Sequence, residues 1–309
     1  MKLSSFAARL PSEFRLVLAD VGSAGGLHRR WAALRPIVSG VLFEPREGGQ
    51  VRQEGEDTIY PIGLGPAKGR ATLNLTALAN MSSTLEPNTE ELRRHARKPD
   101  HARVVETLEI ALDSLDAIAA RDGLRIDAVK IDTQGSELGI LQGMRGCLTG
   151  SAVIAEVEVS FFRRYRDQPL FCDVQQSMDA CGFELIDLYR LKRYRWANSA
   201  GIGNMSLGGG QRAGRLAYGD AVFFLKESEL RSRIAAADPD AAERIVLCSV
   251  AALLAYGKAD MAARVWEANW SHVREPWRGP LTVWFVRLGR RARGSGILHH
   301  VADYFSRHV

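Results

Sequence analysis

Phe14-Arg-Leu-Val-Leu-Ala-Asp20, followed at once by Val21-Gly-Ser-Ala-Gly-Gly26 and a helix-compatible stretch to Leu34, is the passage that decides the fold. An apolar run closed by an acid, then glycines, then helical periodicity predicts strand, tight turn and helix. Working outward, Ile37-Val-Ser-Gly-Val-Leu-Phe43 reads as a second strand that ends at Glu44-Pro45, where proline stops regular pairing. Thr58-Ile-Tyr-Pro-Ile62, ending in Gly63-Leu-Gly65, makes a third. The pattern resumes with Ala128-Val-Lys-Ile-Asp132, the turn Thr133-Gln-Gly-Ser-Glu137, and one helix carrying Leu138, Leu141, Met144 and Leu148. The strand Ala152-Val-Ile-Ala-Glu156-Val-Glu158-Val159 follows. Strands alternating with helices predict an α/β chain whose mainly parallel sheet is covered by helices on both faces.

Residues 66–112 break this rhythm. Ala71-Thr-Leu-Asn-Leu-Thr76 and Val104-Val-Glu-Thr-Leu-Glu-Ile110 alternate like solvated strands around a polar helix over 90–98, as expected of an insertion over the sheet edge. Phe171, Val174, Met178 and Cys181 then mark an amphipathic helix that stops at Gly182. Two closing strands, 183–188 and 220–225, flank a long loop over 189–219 rich in arginine, tyrosine and glycine. Loops beyond about 12–15 residues are usually functional or disordered. Past 228 the composition turns helical: a helix pair over 236–256 and 260–270, then an arginine-rich tail. The organisation expected is a main domain over 1–228 and a C-terminal helical extension over 229–309.

The 309 residues are 46% hydrophobic and 25% charged, which excludes disorder, collagen and disulfide scaffolds. Four cysteines are scattered with no C-x-x-C pair, as expected in a reduced compartment and without structural zinc. The N-terminus lacks the apolar core of a secretory signal, and no apolar span approaches the roughly 18 residues of a membrane helix. A cytoplasmic location, at most peripheral at the inner membrane face, is expected. The net charge of +5 falls entirely after position 271, where seven arginines face Glu275 and Asp303. Trp277, Trp284, Phe285, Ile297, Leu298, Tyr304 and Phe305 interleave with those arginines, so two fates stay open: contact with an anionic membrane, or packing on the main domain. The tail histidines (His272, His299, His300 and His308) lack metal-ligand spacing, and no nucleic-acid module pattern is present, so no nucleic-acid partner is expected.

Asp20-x-Gly22-x-Ala24-x-Gly26 suits a nucleoside ligand, because glycines let the backbone approach closely and the following helix offers free N–H groups. Glu44 closes the next strand about twenty residues on, where ribose hydroxyls are bound. Ala24 stands at the second glycine of a G-x-G-x-x-G motif and there is no Tyr-x-x-x-Lys pair, so a pyrophosphate cofactor fits less well. An adenosine without phosphate is favoured, and S-adenosylmethionine meets that description.

Eight elements then occur in order: Asp20-Val-Gly22-Ser-Ala-Gly-Gly26, Phe43-Glu44-Pro45, Ser82-Ser-Thr-Leu85, Leu112-Asp-Ser-Leu115, Val129-Lys-Ile-Asp132-Thr-Gln-Gly135-Ser-Glu137, Glu156-Val-Glu158, Cys181-Gly-Phe183 and Gly219-Asp220-Ala-Val-Phe223. Together they resemble the FkbM-type methyltransferase family over roughly residues 15 to 225. The resemblance implies a Rossmann-like methyltransferase fold and methyl transfer from S-adenosylmethionine, most often to a hydroxyl of a sugar or secondary metabolite. Carried over by position, it implies that Asp20, Gly22, Ser23 and Gly26 frame the methionine part of the cofactor. Glu44 would hold the ribose, Ile62 and Gly63 would lie against adenine, and Asp132 would face the transferring methyl. Family members commonly show Asn where this chain has Ala24.

Methyl transfer is an in-line displacement that requires an aligned acceptor oxygen and a base for its proton. Asp132 and Glu158 are the first candidates for that base, with Glu137 and His28 behind them. Asp132 reads equally as a cap or a cofactor-positioning group, and Glu137 as a favourable charge at a helix start. Glu156 and Glu158 share one strand face and are costly there unless paired or working. A divalent ion bridging Asp132 and Glu158 is conceivable, but no dense acidic cluster surrounds them and no metal is expected. Arg190, Lys192, Arg193, Tyr194, Arg195 and Trp196 read either as a cover for an acidic or sugar substrate or as solvated surface. The expectation is an S-adenosylmethionine-dependent O-methyltransferase acting on a sugar, glycan, glycan-lipid precursor or secondary metabolite. The alternatives are a catalytically silent cofactor-binding scaffold at a membrane or complex and, third, an NAD-dependent oxidoreductase.

Overall fold

The computed structural model describes residues 2–23, 26–203 and 212–294. Eleven strands are present among them: β1 Leu16–Val21, β2 Val38–Phe43, β3 Arg52–Glu54, β4 Asp57–Tyr60, β5 Gly63–Leu64, β6 Gly69–Thr76, β7 Val104–Asp113, β8 Ala128–Ile131, β9 Ile154–Ser160, β10 Phe183–Tyr194 and β11 Arg215–Leu225. β1 is buried along its length because it lies between two parallel neighbours, β2 and β8, which is why it reads as a continuous apolar run. Eight strands form one sheet in the order β10-β11-β9-β8-β1-β2-β4-β3. Its core, from β4 to β9, is parallel, and the β10–β11 hairpin adds antiparallel to β9. The order reverses at β1, and ligands of open α/β sheets bind at such a switch point, outside the carboxyl ends of the strands.

Several sequence expectations are corrected. The helix expected up to Leu34 is a 3-10 helix, Arg29–Ile37, containing Pro36, whose missing N–H and ring are incompatible with a continuing α-helix. The single helix through Leu138 and Leu148 is two, Glu137–Gln142 and Arg145–Gly150. It breaks at Gly143, where a Cβ would run into the Gly65 carbonyl of the adjoining β5 turn. The polar helix over 90–98 is likewise two short turns, Thr89–Leu92 and Lys98–His101, parted at left-handed Arg97, with Pro99 at the start of the second. Both ends of the long loop are strand: β10 continues to Tyr194 and β11 starts at Arg215, with residues 204–211 outside the described part.

β6 and β7 of the 66–112 insertion pair with β5 in a second sheet, β5-β7-β6, and the insertion's Met81, Leu92 and Ala102 form a small core with Phe162, Tyr194 and Ala217. Beyond β11 come the helices Glu227–Ala236, Pro239–Ala255, Ala259–Asn269 and Arg278–Gly294. Leu230, Ile234, Val246, Val250, Leu253 and Trp266 belong to the same apolar cluster as Phe183 and Phe223 of the sheet, so the core continues across position 228. The described aromatic residues of the tail also pack inward. Trp284 is buried edge-on to Phe6 at 5.2 Å and the half-buried Phe285 stacks on Trp266 at 5.7 Å. Ile297, Leu298, Tyr304 and Phe305 lie outside the described residues. Among those described, no helix is long and apolar enough to cross a membrane.

Candidate active site

Strand parity gathers the charged residues. Asp20, Lys130 and Glu156 stand side by side on β1, β8 and β9, and two residues further along Glu158 stands opposite Asp220 of β11. Side chains two apart share a face, so these groups, with Asp132 just past β8, lie on one face at the carboxyl edge. There a cavity of about 550 Å³ opens, lined by Asp20, Gly22, Ser23, Gly26, Glu44, Gly63, Asp132 and Glu158 among others. Ile62 packs partly buried against the main core, while its neighbours Gly63 and Leu64 line the cavity. β4 ends at Tyr60, and Pro61, which has no N–H to give to a sheet, follows it. Ala24 lies outside the described residues.

Gly22 adopts φ 81°, and a Cβ there would collide with the Asp132 carbonyl. Its glycine therefore serves first to let the β1 and β8 turns approach each other. Asp20 and Lys130 form a buried ion pair at 3.1 Å. Burial pulls the Lys130 ammonium down, but Asp20 and Asp132 outweigh it and keep Lys130 charged. Glu44 is gripped by Arg46 through two side-chain bonds of 2.8 Å and one from the Arg46 backbone N–H at 3.1 Å. Burial pushes the Glu44 carboxyl up, and those bonds outweigh it, leaving it below its ordinary value.

The four candidate bases separate on their partners. Glu137 is fully buried and does not line the cavity; it accepts from the Thr133 and Gly135 backbone N–H groups, each at 3.0 Å, and so braces the turn. His28 Nδ1 accepts from the Arg30 backbone N–H at 3.3 Å and from Arg30 Nε at 3.1 Å, which places the ring proton on Nε2. Burial, then Arg30, lowers its pKa, while Arg30 occupies its Nδ1.

Glu158 accepts from the wholly buried Arg164 at 2.5 Å on one oxygen and from Gln134 Nε2 at 2.9 Å on the other. Burial pushes its carboxyl up against the pull of Arg164. Gln134 also donates to Asp132 Oδ1 at 2.8 Å, so an amide donor fills the space between the two carboxylates where a bridging cation would sit. Asp132 Oδ2 accepts no hydrogen bond among the described residues, and Asp132 is half-buried in the cavity wall. Of the two leading candidates, only Asp132 presents an oxygen without a partner.

Glu156 is paired rather than free: Arg30 Nη1 lies 2.8 Å away and Tyr256 donates its hydroxyl proton at 2.8 Å. Arg30 is itself held between the Tyr189 and Tyr256 rings, 4.9 and 4.6 Å from their centres. Of the loop cations singled out in the sequence, Arg190 and Lys192 line the cavity, while Tyr194 is buried in the second core. Sequence reasoning missed Arg164 and Tyr256 as partners, since neither sits in a recognisable motif. Lys130, Gln134 and Asp220 lay inside quoted motifs, and parity along β8 and β11 was the signal that could have raised them.

A mostly parallel sheet reversing at β1, with a glycine turn and acids at its carboxyl edge, defines a Rossmann-like nucleoside-binding fold. The Methyltransferase FkbM domain matches residues 26–185, just over half of the chain, and the chain belongs to that family. Among solved structures, a methyltransferase FkbM from Methylobacillus flagellatus KT is similar at 12% identity, with TM-score 0.34. That similarity covers 72% of this chain and 48% of the other, so the chain spans about half that protein's length. A precorrin-6y C5,15-methyltransferase from Geobacter metallireducens GS-15 is similar at 9% identity and TM-score 0.30, covering 72% and 87% of the two chains. A 16S rRNA (adenine(1408)-N(1))-methyltransferase from Catenulisporales acidiphilia is similar at 16% identity and TM-score 0.30, over 74% and 94%. No curated protein matches the chain. The fold assignment rests on the strand order and the family domain, and the methyltransferase domain leaves the NAD-dependent oxidoreductase reading without support.

The residues present fit S-adenosylmethionine, the cofactor the family implies. Gly26, at φ 86°, has open space where a Cβ would stand, so the turn can meet a ligand along its backbone. Glu44 offers a carboxylate suited to vicinal hydroxyls, and Leu64, Leu112 and Ile140 give an uncharged wall suited to a flat ring. Asp132 supplies negative charge for a sulfonium.

Proposed function

We propose that this chain is an S-adenosylmethionine-dependent O-methyltransferase whose acceptor is a hydroxyl of a sugar, glycan or glycan-lipid precursor, or of a secondary metabolite. When bound, the cofactor supplies a methyl group activated on a sulfonium. Asp132 carries the reading: among the described residues its Oδ2 accepts no hydrogen bond, whereas both Glu158 oxygens are bonded and Glu137 does not line the cavity, and it lies at the carboxyl edge between the Gly22 turn and β9. Its Oδ2 takes the proton that an acceptor hydroxyl must lose, and Gln134 holds the other oxygen in place. The Glu158–Arg164 pair and Ser160 keep Gln134 and its neighbours from shifting.

A polyhydroxylated acceptor is favoured by the insertion wall. Asn80, Ser82 and Thr84 also line the cavity and offer the short donors and acceptors that sugar hydroxyls match. The silent-scaffold alternative rests on Ala24 and gains nothing from the described residues. Calorimetry with S-adenosylhomocysteine tests the cofactor, and incubation with labelled S-adenosylmethionine and a panel of sugars tests the acceptor. Binding heat followed by label transfer to a hydroxyl is expected; a folded sample giving no heat at high micromolar nucleoside overturns the assignment.

A further inference from the structure

One wall of the cavity is built from an irregularity. β10 and β11 pair Tyr189 with Asp220 and Lys192 with Tyr218, so Arg190 and Leu191 together stand opposite Gly219 alone. Asp220 and Tyr218 are two apart and both line the cavity. In a regular strand Tyr189 and Lys192, three apart, face opposite sides; the extra residue turns Lys192 back to the cavity side. Arg190 takes φ 54°, a left-handed conformation that is unfavourable for a non-glycine residue and that clusters at functional sites. Gly219 is needed opposite, because a Cβ there would press on Leu191 at 2.6 Å and on the Tyr189 carbonyl at 3.1 Å. The outcome of these departures is two cations, Arg190 and Lys192, on one wall.

Their charges are not spent like the others. Lys130 is matched by Asp20 and Arg46 by Glu44. Arg190 lies 3.1 Å from Asp220 but keeps half its side chain exposed, and Lys192 is exposed with no carboxylate at ion-pair distance among the described residues. Both belong to β10, separated from β2, which ends at Glu44, by β11, β9, β8 and β1, so they stand away from the Glu44 end of the cavity. Resting on the methyltransferase reading above, we infer that Arg190 and Lys192 form an anion subsite, and that the acceptor carries a phosphate or carboxylate near the hydroxyl to be methylated.

The test titrates the full chain with glucose, glucose 1-phosphate and glucuronate, by calorimetry, with and without saturating S-adenosylhomocysteine. At least one anionic sugar should bind about tenfold or more tighter than glucose, the gain expected of a charge-assisted contact. Phosphate over glucuronate, or the reverse, identifies the anion. Lys192→Gln should erase most of that preference while leaving affinity for the nucleoside unchanged, with Arg190→Gln as a second variant. Equal or absent binding of all three sugars, or a preference that survives both variants, overturns the subsite. Failure of the nucleoside to bind counts instead against the methyltransferase reading, and the runs without it report the anion preference on their own.

Discussion

The Tyr256 hydroxyl donates to the Glu156 carboxylate over 2.8 Å, which places a residue from beyond the matched 26–185 domain inside the polar network of the site. Glu156 in turn holds Arg30, and Arg30 fixes the His28 tautomer at the cavity wall. The C-terminal helices thus reach the site through three hydrogen-bonded steps. Tyr256→Phe should cost about 1–3 kcal/mol of stability, since it leaves a buried carboxylate one donor short. Urea unfolding reads that loss, and the imidazole nitrogen shifts of His28 read any change of tautomer. A variant as stable as the parent, with unchanged His28 signals, would refute the connection.

Asp132 and Glu158 should respond differently to amide replacement. Asp132→Asn removes the proposed base and should lower methyl transfer by about 10²–10⁴-fold while the nucleoside still binds. Glu158→Gln leaves the guanidinium of Arg164 buried without its counter-charge, and should cost about 3–5 kcal/mol of stability. Single-turnover transfer and thermal melts on both variants separate the roles; the reverse pattern would make Glu158 the base.

Glu44 and Arg46 form a second diagnostic pair, because a bound ribose competes with the guanidinium for the same carboxylate. Glu44→Ala should weaken S-adenosylhomocysteine binding by about 1–3 kcal/mol. Arg46→Ala frees the carboxylate and should tighten binding by up to about tenfold. Calorimetry decides, and effects of the same sign would show that the ribose lies elsewhere.

Asp220 makes stability depend on pH. Burial first, then Glu156 and Asp132, raise its carboxyl from the ordinary 3.8 to about 6, with Arg190 and Lys130 opposing. A raised carboxyl binds its proton more tightly in the folded chain. Its contribution to stability is therefore full below about pH 4 and lost as pH rises through about 6. Subtracting the unfolding free energies of Asp220→Asn from those of the parent, pH by pH, should give a curve falling over that interval. A flat difference would place the titration on another group.

The strand, glycine turn and strand from Leu16 to Phe43 were legible because apolar runs and glycines act locally, and strand parity alone puts Glu156 and Glu158 on one face. Glu44, Asp132 and the glycine turn were legible for the same reason: each ends or follows a strand, and strand ends at a switch point meet in one cleft. Pro99 marks the helix break at Arg97 locally, whereas the break at Gly143 was not legible, because helical periodicity carries no record of a carbonyl approaching from a distant segment. Nor was the bulge at Arg190 and Leu191, which depends on how many residues a partner strand offers.

What separates a working carboxylate from a structural one was likewise decided only in three dimensions. Periodicity marks Asp132, Glu156 and Glu158 as acids at one edge and nothing more. Their partners, Gln134, Arg30 with Tyr256, and Arg164, come from turns, a 3-10 helix and a C-terminal helix far along the chain. The architecture follows from burying apolar faces, a force that each segment encodes in its own pattern. The chemistry follows from which charges are left unpaired once all the segments have met, and that can be counted only in the assembled fold.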